Sequence, residues 1–293
     1  MNWWRGFKGK IKLKELLKGK TTFKIGGEAE FFSAPSDIKD LKLLVTAAAK
    51  FKIPIFVMGA GSNVLIGDKG IKGIVVQLKS PGFKKVSCRR NYLEAASGMT
   101  LAQLINAAKK HGLSGIEFLA GIPGTLGGAL AMNAGAWGKN IADFVEKVKV
   151  MDYNGGVKII DKKDLKFAYR KSSLEKFIIL GATLKLTKAD KAGIEKNVRQ
   201  ILRQRIDTQD RTLPNAGCIF KNPRKDAAGR LIDLCGLKGR AVGDACVSLR
   251  HANFILNRGN ARARDVLDLM ELIQENVKNK FGINLEPEIK IWA

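Results

Sequence analysis

Histidine is almost missing from this chain of 293 residues: there are two, and neither sits in an HExxH arrangement. A zinc site therefore has little to be built from. Cysteine is scarce too, with Cys88, Cys218, Cys235 and Cys246 widely spaced and no CxxC pair. That pattern argues against metal or disulfide use and fits reduced thiols in the cytoplasm. No apolar run reaches the roughly 18 residues of a membrane span, so none is expected. Residues 1–20 hold seven Lys/Arg and no apolar stretch of useful length, so no secretory signal peptide is expected either.

Acidic residues are outnumbered, 27 against 52 basic ones, which leaves a net charge of +25. Such a charge suits nucleic acid or an anionic membrane surface. However, the lysines are spread along the whole chain, and no RNA-recognition or zinc-finger pattern accompanies them. No dedicated nucleic-acid site is expected. Small polyanionic ligands account for the charge better. The length suffices for two domains and a full core.

Glycine is abundant in two places. Ala120–Gly138 (AGIPGTLGGALAMNAGAWG) carries six glycines and no charge in a chain that is otherwise 27% charged. Side-chain-poor backbone leaves its N–H groups bare for an anion. Taken alone, a buried, tightly packed turn explains the stretch equally well. The second cluster, Gly59, Ala60, Gly61, Ser62 and Asn63, directly follows Ile53–Met58, an apolar run that reads as a buried strand. A strand running into a glycine loop can cradle a pyrophosphate. The spacing is not GxGxxG, so a Rossmann nicotinamide site is poorly supported. Two glycine loops suggest a long ligand held along its length, such as a dinucleotide.

In chain order, residues 1–20 (with Trp3, Trp4, Phe7, Ile11, Leu13, Leu16 and Leu17) read as a short basic surface helix, with peripheral membrane contact a weaker possibility. Pro35 and Ser36 open a helix with Ile38, Leu41, Leu44, Val45 and Ala48 on one face. Gly73–Leu78 is a strand. Thr100 and Gln103 form a capping box for a helix through Lys110, closed by Gly112. Lys147–Met151 and Val157–Ile160 flank a hairpin turn at Tyr153–Gly156, and Phe177–Leu186 is a further strand. A charged helix follows over about 189–207. A strand begins at Asn215, and a helix over about 263–280 buries Val266, Leu269, Ile273 and Val277. The chain ends on a strand, Glu288–Trp292.

Seven blocks occur in a fixed order: TTFKIGGEAEFF (Thr21–Phe32), GAGSNVLIGDKGIKGIVV (Gly59–Val76), GIEFLAGIPGTLGGALAMNAGAWG (Gly115–Gly138), YRKSSL (Tyr169–Leu174), NAGCIFKNP (Asn215–Pro223), HANFIL (His251–Leu256) and LEPEIKI (Leu285–Ile291). The set resembles the UDP-N-acetylenolpyruvoylglucosamine reductases, the flavoenzymes that make UDP-N-acetylmuramate for bacterial peptidoglycan. The resemblance runs from about Thr21 to the C-terminus, and it is to the shorter subtype, which lacks an extra tyrosine-bearing loop. It implies an α+β fold: a two-lobed FAD-binding domain of the vanillyl-alcohol-oxidase type and a C-terminal α+β substrate domain. The expected division is a basic segment 1–20, an FAD-binding domain 21–186 with lobes split near 79–85, and a substrate-binding domain 187–293. Whether the last strand packs back toward the FAD domain stays open.

The resemblance also implies roles. FAD would be held by Gly59, Ala60, Gly61, Ser62, Asn63 and Leu65, and by Gly121, Ile122, Pro123, Gly124, Gly127, Gly128, Asn133 and Gly135. NADPH is the implied co-substrate and a UDP-sugar the substrate, with Tyr169, Lys221 and Asn222 binding the latter. Arg170 matches the arginine that stabilises the enol-like intermediate, where a guanidinium can grip a carboxylate in bidentate fashion. Glu288 matches the C-terminal family glutamate, although Glu286 shares its strand parity. Cys218 stands where the family commonly has a proton-donating serine; a thiol is mostly protonated at neutral pH and is the stronger acid. Asp210 follows Gln209 where many members carry proline, which leaves the local loop open. A cytoplasmic monomer is expected. The competing readings are a same-fold flavin oxidase of another substrate and a non-redox basic anion-binding protein, which would not be yellow.

Overall fold

A computed structural model describes Trp4 and residues 6–292. Along the chain run β1 (Lys10–Leu16), β2 (Glu28–Ala34), α1 (Ile38–Lys50), β3 (Ile55–Met58), β4 (Val64–Ile66), β5 (Ile71–Gln77), β6 (Val86–Arg89), β7 (Tyr92–Ala96), α2 (Leu101–Lys110), β8 (Leu113–Ser114), α3 (Leu126–Ala131), β9 (Gly135–Ala136) and β10 (Lys139–Asn140). They continue as β11 (Val145–Met151), β12 (Val157–Asp161), β13 (Phe167–Ala168), β14 (Lys171–Ser172), β15 (Ile178–Lys185), β16 (Thr187–Lys188) and α4 (Lys191–Thr208). The last part holds β17 (Asn215–Cys218), α5 (Ala228–Leu234), β18 (Ala241–Val242), β19 (Ala245–Val247), β20 (Phe254–Asn257), α6 (Ala263–Phe281) and β21 (Lys290–Trp292). Among the described residues no helix is long and apolar enough to cross a membrane.

Helix starts follow local chemistry. Asp37 caps α1 by accepting the Asp40 amide at 2.9 Å. Thr100 and Gln103 form both halves of the predicted capping box on α2. Gly282, at φ 70°, closes α6 in the left-handed conformation that glycine adopts without strain.

Over Lys10–Lys20 the basic helix expected for residues 1–20 is not formed: Lys10–Leu16 is a strand and Leu17–Lys20 a single 3₁₀ turn. The Lys-Ile-Lys-Leu-Lys alternation has the two-residue period of a strand, which outweighs its helix-compatible composition. β1 ends the four-stranded sheet β1-β2-β5-β3, where exposed lysines discourage further pairing. Trp3, part of that expectation, lies outside the described residues.

The chain forms two compact units, each drawn from several stretches of sequence. The first comprises Met1–Leu13, Phe31–Ala60 and Gly73–Gln204; the second comprises Lys14–Glu30, Gly61–Lys72 and Arg205–Ala293. In the first, β3 and β5 pair in parallel, and an antiparallel sheet of order β12-β11-β15-β7-β6 follows. The unit has two cores, one around α1 (Leu41, Leu44, Val45, Ala48) and one around α2 and α3 (Leu101, Leu104, Leu126, Leu130).

Strand β15 serves both cores. Ile178 and Leu180 face the α1 core, whereas Ala182 and Leu184 belong to the other. Four residues of equal parity would share one face of a regular strand. The register explains the switch: Val150 pairs with Ile179 but Lys149 with Gly181, so Leu180 is an extra, bulged residue. One inserted residue turns the remaining side chains to the opposite face. This is how a single strand serves two cores.

In the second unit, an antiparallel sheet of order β17-β20-β19-β18 packs with α5 and α6, and β21 pairs in parallel with β4. Its core joins Phe23, Leu65 and Phe220 to Val266, Leu269, Ile273 and Val277 of α6, the stripe predicted from helical spacing.

Candidate functional site

In the first unit the start of the Gly59–Asn63 loop abuts the Ala120–Gly138 stretch. A Cβ on Gly59 would lie 2.7 Å from Thr125 Oγ1, so only bare backbone can run there. Thr125 caps α3, and Gly124, Leu126 and Gly127 bond to Leu101, Met99 and Ser97 respectively. Gly127 serves packing, because its Cβ would stand 3.0 Å from that of Ser97. Gly128 is exposed, and among the described residues the nearest atom to its Cβ position, outside its own helix backbone and chain neighbours, is Thr125 Oγ1 at 3.6 Å. Ala60, Gly121, Ile122 and Gly124 are half-buried and Pro123 is exposed.

The segment after α3 holds a hairpin. β13 and β14 pair Ala168 with Lys171, leaving Tyr169 and Arg170 as a two-residue turn. Arg170 has φ 55°, a region that costs a side-chain-bearing residue about 1 kcal/mol or more. Its Nη1 donates to the Gly135 carbonyl at 3.1 Å, and the guanidinium lies 5.1 Å from the Tyr169 ring centre. Asn133, buried, donates from Nδ2 to the Ala168 carbonyl at 3.0 Å and accepts the Ala142 amide at 3.3 Å. The Ser172 hydroxyl donates to the Ala131 carbonyl at 2.9 Å.

In the second unit Cys218 follows a bulge. Asn215 pairs with Leu256 and Cys218 with Phe254, so three steps on β17 oppose two on β20. Gly217 takes up the distortion at φ 77°, and its amide donates to Asn215 Oδ1 at 3.0 Å. A bulge beside a candidate site re-aims the next side chain, here the half-buried thiol. Asn253, buried in β20's lead-in, accepts the Phe220 amide at 2.9 Å and donates to its carbonyl at 2.8 Å.

Segment 218–222 then runs antiparallel to 286–288. Phe220 bridges Pro287, the Lys221 amide donates to the Glu286 carbonyl at 2.9 Å, and the Glu288 amide to that of Ile219 at 2.7 Å. Lys221 Nζ also pairs with the exposed Glu286 carboxylate, whereas Glu288 is half-buried. Asn63 Nδ2 donates to the Glu288 carbonyl at 3.3 Å. Asn222 is exposed and accepts the Ala228 amide at 3.0 Å, starting α5. Gly61 and Ser62 belong to this unit, where Gly61 lies against Lys20, and Leu65 is fully buried in its core.

Asp210 anchors the loop before the bulge. Its carboxylate accepts Ser248 Oγ at 2.6 Å, Thr212 Oγ1 at 2.6 Å and the Thr212 amide at 3.0 Å; its carbonyl accepts Asn215 Nδ2 at 3.2 Å. Burial pushes its pKa up, but those bonds and the Arg250 charge outweigh burial and hold it below the ordinary value. Burial lowers the pKa of His251, helped by Lys238, and its Nδ1 accepts the Asn253 amide at 3.3 Å. Sequence reasoning assigned no role to Asn253, Ser172 or Ser248. Asn253 lay inside the HANFIL block, but its two-way bond to Phe220 spans 33 residues and has no local signal.

The FAD binding domain family matches residues 29–161, and the family described as UDP-N-acetylenolpyruvoylglucosamine reductase, C-terminal domain, matches 207–292. Together these define a chain of mixed helices and strands with an FAD-binding domain followed by a C-terminal domain of the reductase kind, as expected from the sequence blocks. The chain is 43% identical to a UDP-N-acetylenolpyruvoylglucosamine reductase of Caldanaerobacter subterraneus subsp. tengcongensis, over 97% of this chain and 94% of that protein. It is 40% identical to that of Clostridium novyi, over 97% and 92%. The solved UDP-N-acetylenolpyruvylglucosamine reductase of Thermus caldophilus matches with a TM-score of 0.83 at 37% identity, over 98% and 99%. The chain belongs to the UDP-N-acetylenolpyruvoylglucosamine reductase family.

Proposed function

We propose that this chain reduces UDP-N-acetylglucosamine enolpyruvate to UDP-N-acetylmuramate, with FAD as bound cofactor and NADPH as reductant, in the synthesis of peptidoglycan precursors. It would act as a cytoplasmic monomer, with residues 21–186 as the flavin domain and 187–293 as the substrate domain. What carries this reading is the pairing of 218–222 with 286–288, which brings two segments bearing a thiol, an ammonium and two carboxylates side by side in one unit. The full-length similarity to named reductases supports the same conclusion.

The glycine turns suit a flavin nucleotide: Gly59 and Thr125 leave no room for a side chain, and Gly128 offers an open backbone face. Gly59, Ala60, Gly61, Ser62 and Asn63, with Gly121–Gly124, Gly127 and Gly128, would hold it. The chemistry FAD supplies when bound is two-electron hydride transfer, from NADPH to the enolpyruvyl double bond. The chain's residues bind and neutralise. Lys221, Asn222 and Tyr169 bind the UDP-sugar. Arg170 offsets the negative charge that develops toward the substrate carboxylate, and Cys218 donates the proton from Sγ to the second carbon. Glu288 acts on the same intermediate.

Purified protein should show flavin absorbance and consume NADPH only when the enolpyruvyl substrate is added. Colourless protein, or NADPH oxidation indifferent to that substrate, would overturn the assignment.

A further inference from the structure

Three side-chain bonds join the Arg170 hairpin to one short stretch of backbone. Asn133 Nδ2 holds Ala168 on β13, Ser172 Oγ reaches back from β14 to Ala131, and Arg170 Nη1 takes the Gly135 carbonyl between them. The receiving stretch, 131–135, leads directly out of α3, whose first turn carries Gly127 and Gly128. Both strands of the hairpin are therefore fixed, on either side of a turn whose arginine stands at φ 55°. A non-glycine residue persists in that region only where its surroundings hold it there. Asn133 itself has φ 43°, a conformation that asparagine tolerates better than most side chains. With its amide bonded to Ala168 and Ala142, Asn133 is placed to hold the hairpin, a different task from the flavin contact expected of it.

We infer that Asn133 and Ser172 are positioning residues for Arg170: they register its guanidinium to the backbone that follows the α3 glycines. This inference rests on the proposed reductase reading. Its consequence is that the arginine and the glycine segment move as one piece. Loosening the clamp should harm the step that uses Arg170 and spare the one that does not.

Ser172→Ala removes one hydroxyl and leaves the turn residues unchanged; Asn133→Asp keeps size and backbone tolerance while facing the Ala168 carbonyl with an acceptor. In stopped flow, Ser172→Ala should slow reoxidation of reduced flavin by the enolpyruvyl substrate roughly 10- to 10²-fold, the effect of a misplaced group, with flavin reduction by NADPH near the parent rate. Asn133→Asp, at a position also expected to touch FAD, is read by amide exchange. In an Arg170→Ala background, Ser172→Ala should add less than about twofold, because it acts through the absent arginine. Amide exchange in residues 167–172 should quicken in both variants without quickening in α2 or α6. If Asn133→Asp does not fold, Ser172→Ala decides alone. Losses that multiply fully in the double mutant, equal losses in both half-reactions, or unchanged exchange in the hairpin would overturn the inference. A parent protein that lacks the reductase reaction would overturn the functional reading instead, while the exchange measurement would still test the clamp.

Discussion

The Glu288 amide donates to the Ile219 carbonyl at 2.7 Å, so the C-terminal acid is paired with the residue that follows Cys218. Glu286, two residues earlier, is mostly exposed and ion-paired with Lys221. The pattern of sequence alone could not separate the two acids; Glu286 is exposed, whereas Glu288 is half-buried. Glu288→Gln keeps the backbone bond and should leave flavin reduction by NADPH intact while slowing the enolpyruvyl half-reaction roughly 10²-fold or more. Glu286→Gln removes an exposed pair of the kind worth about 0–1 kcal/mol and should change turnover only a few-fold. Stopped-flow traces with the ranking reversed would transfer the role to Glu286.

The glycine loops need a probe that separates flavin from fold. Gly61→Glu would drive a Cβ to 2.2 Å from the Lys20 carbonyl, and Gly127→Asp would crowd Ser97 at 3.0 Å, so both would disturb packing with or without a ligand. Gly128→Asp has room, and a carboxylate in the first turn of a helix favours the helix. The variant should melt near the parent temperature yet purify with little visible flavin absorbance, through repulsion of the pyrophosphate. A folded, fully yellow Gly128→Asp would move the cofactor away from α3.

Local signals survived into the structure, and long-range ones had to be seen. The Thr100–Gln103 box, the hairpin of β11 with β12 and the α6 stripe each depend on residues a few positions apart, so their spacing announces them. The strand at Lys10–Leu16 was misread because lysine and leucine suit a helix, while the two-residue alternation was the better guide. The bulges at Leu180 and Gly217 insert one residue without changing composition, so nothing in the local pattern marks them. Ser172 meets Ala131 across 41 positions and Ser248 meets Asp210 across 38; only the fold brings them together.

Asp210 predicts an acid-sensitive loop. Its pKa is lowered in the folded state, so its contribution is complete above the unfolded value near 4 and is lost as pH falls through the lower folded value. His251 works in a higher window. Its pKa is also lowered, but it is a base: the unfolded chain takes the proton first, so stability starts to fall once pH drops below about 6.5. Urea unfolding across pH should show two declines, the upper abolished in His251→Gln and the lower reduced in Asp210→Asn. An unfolding free energy for Asp210→Asn that tracks the parent at pH 7 and pH 3 alike would show that its carboxylate carries no such linkage.

Cys218 stands where the sequence resemblance implies a serine, and the bulge at Gly217 places it half-buried at the end of β17. Small half-buried cysteines are usually inert packing, and that alternative predicts little change on truncation. If the thiol is the proton donor, three results should appear together. Cys218→Ser should hold turnover within about an order of magnitude, since a hydroxyl can deliver the proton from the same place. Cys218→Ala should lose roughly 10²–10⁴-fold in the enolpyruvyl half-reaction, the usual worth of a positioned acid, with NADPH-to-flavin transfer spared. Iodoacetamide should label Cys218 as pH rises into the range where thiolate forms, and more slowly when UDP-sugar is present. The bulge makes the comparison clean, because Gly217, Asn215 and the pairing of Cys218 with Phe254 engage backbone and are untouched by either substitution. An alanine variant that reduces substrate at the parent rate would make Cys218 a packing residue and leave water to supply the proton.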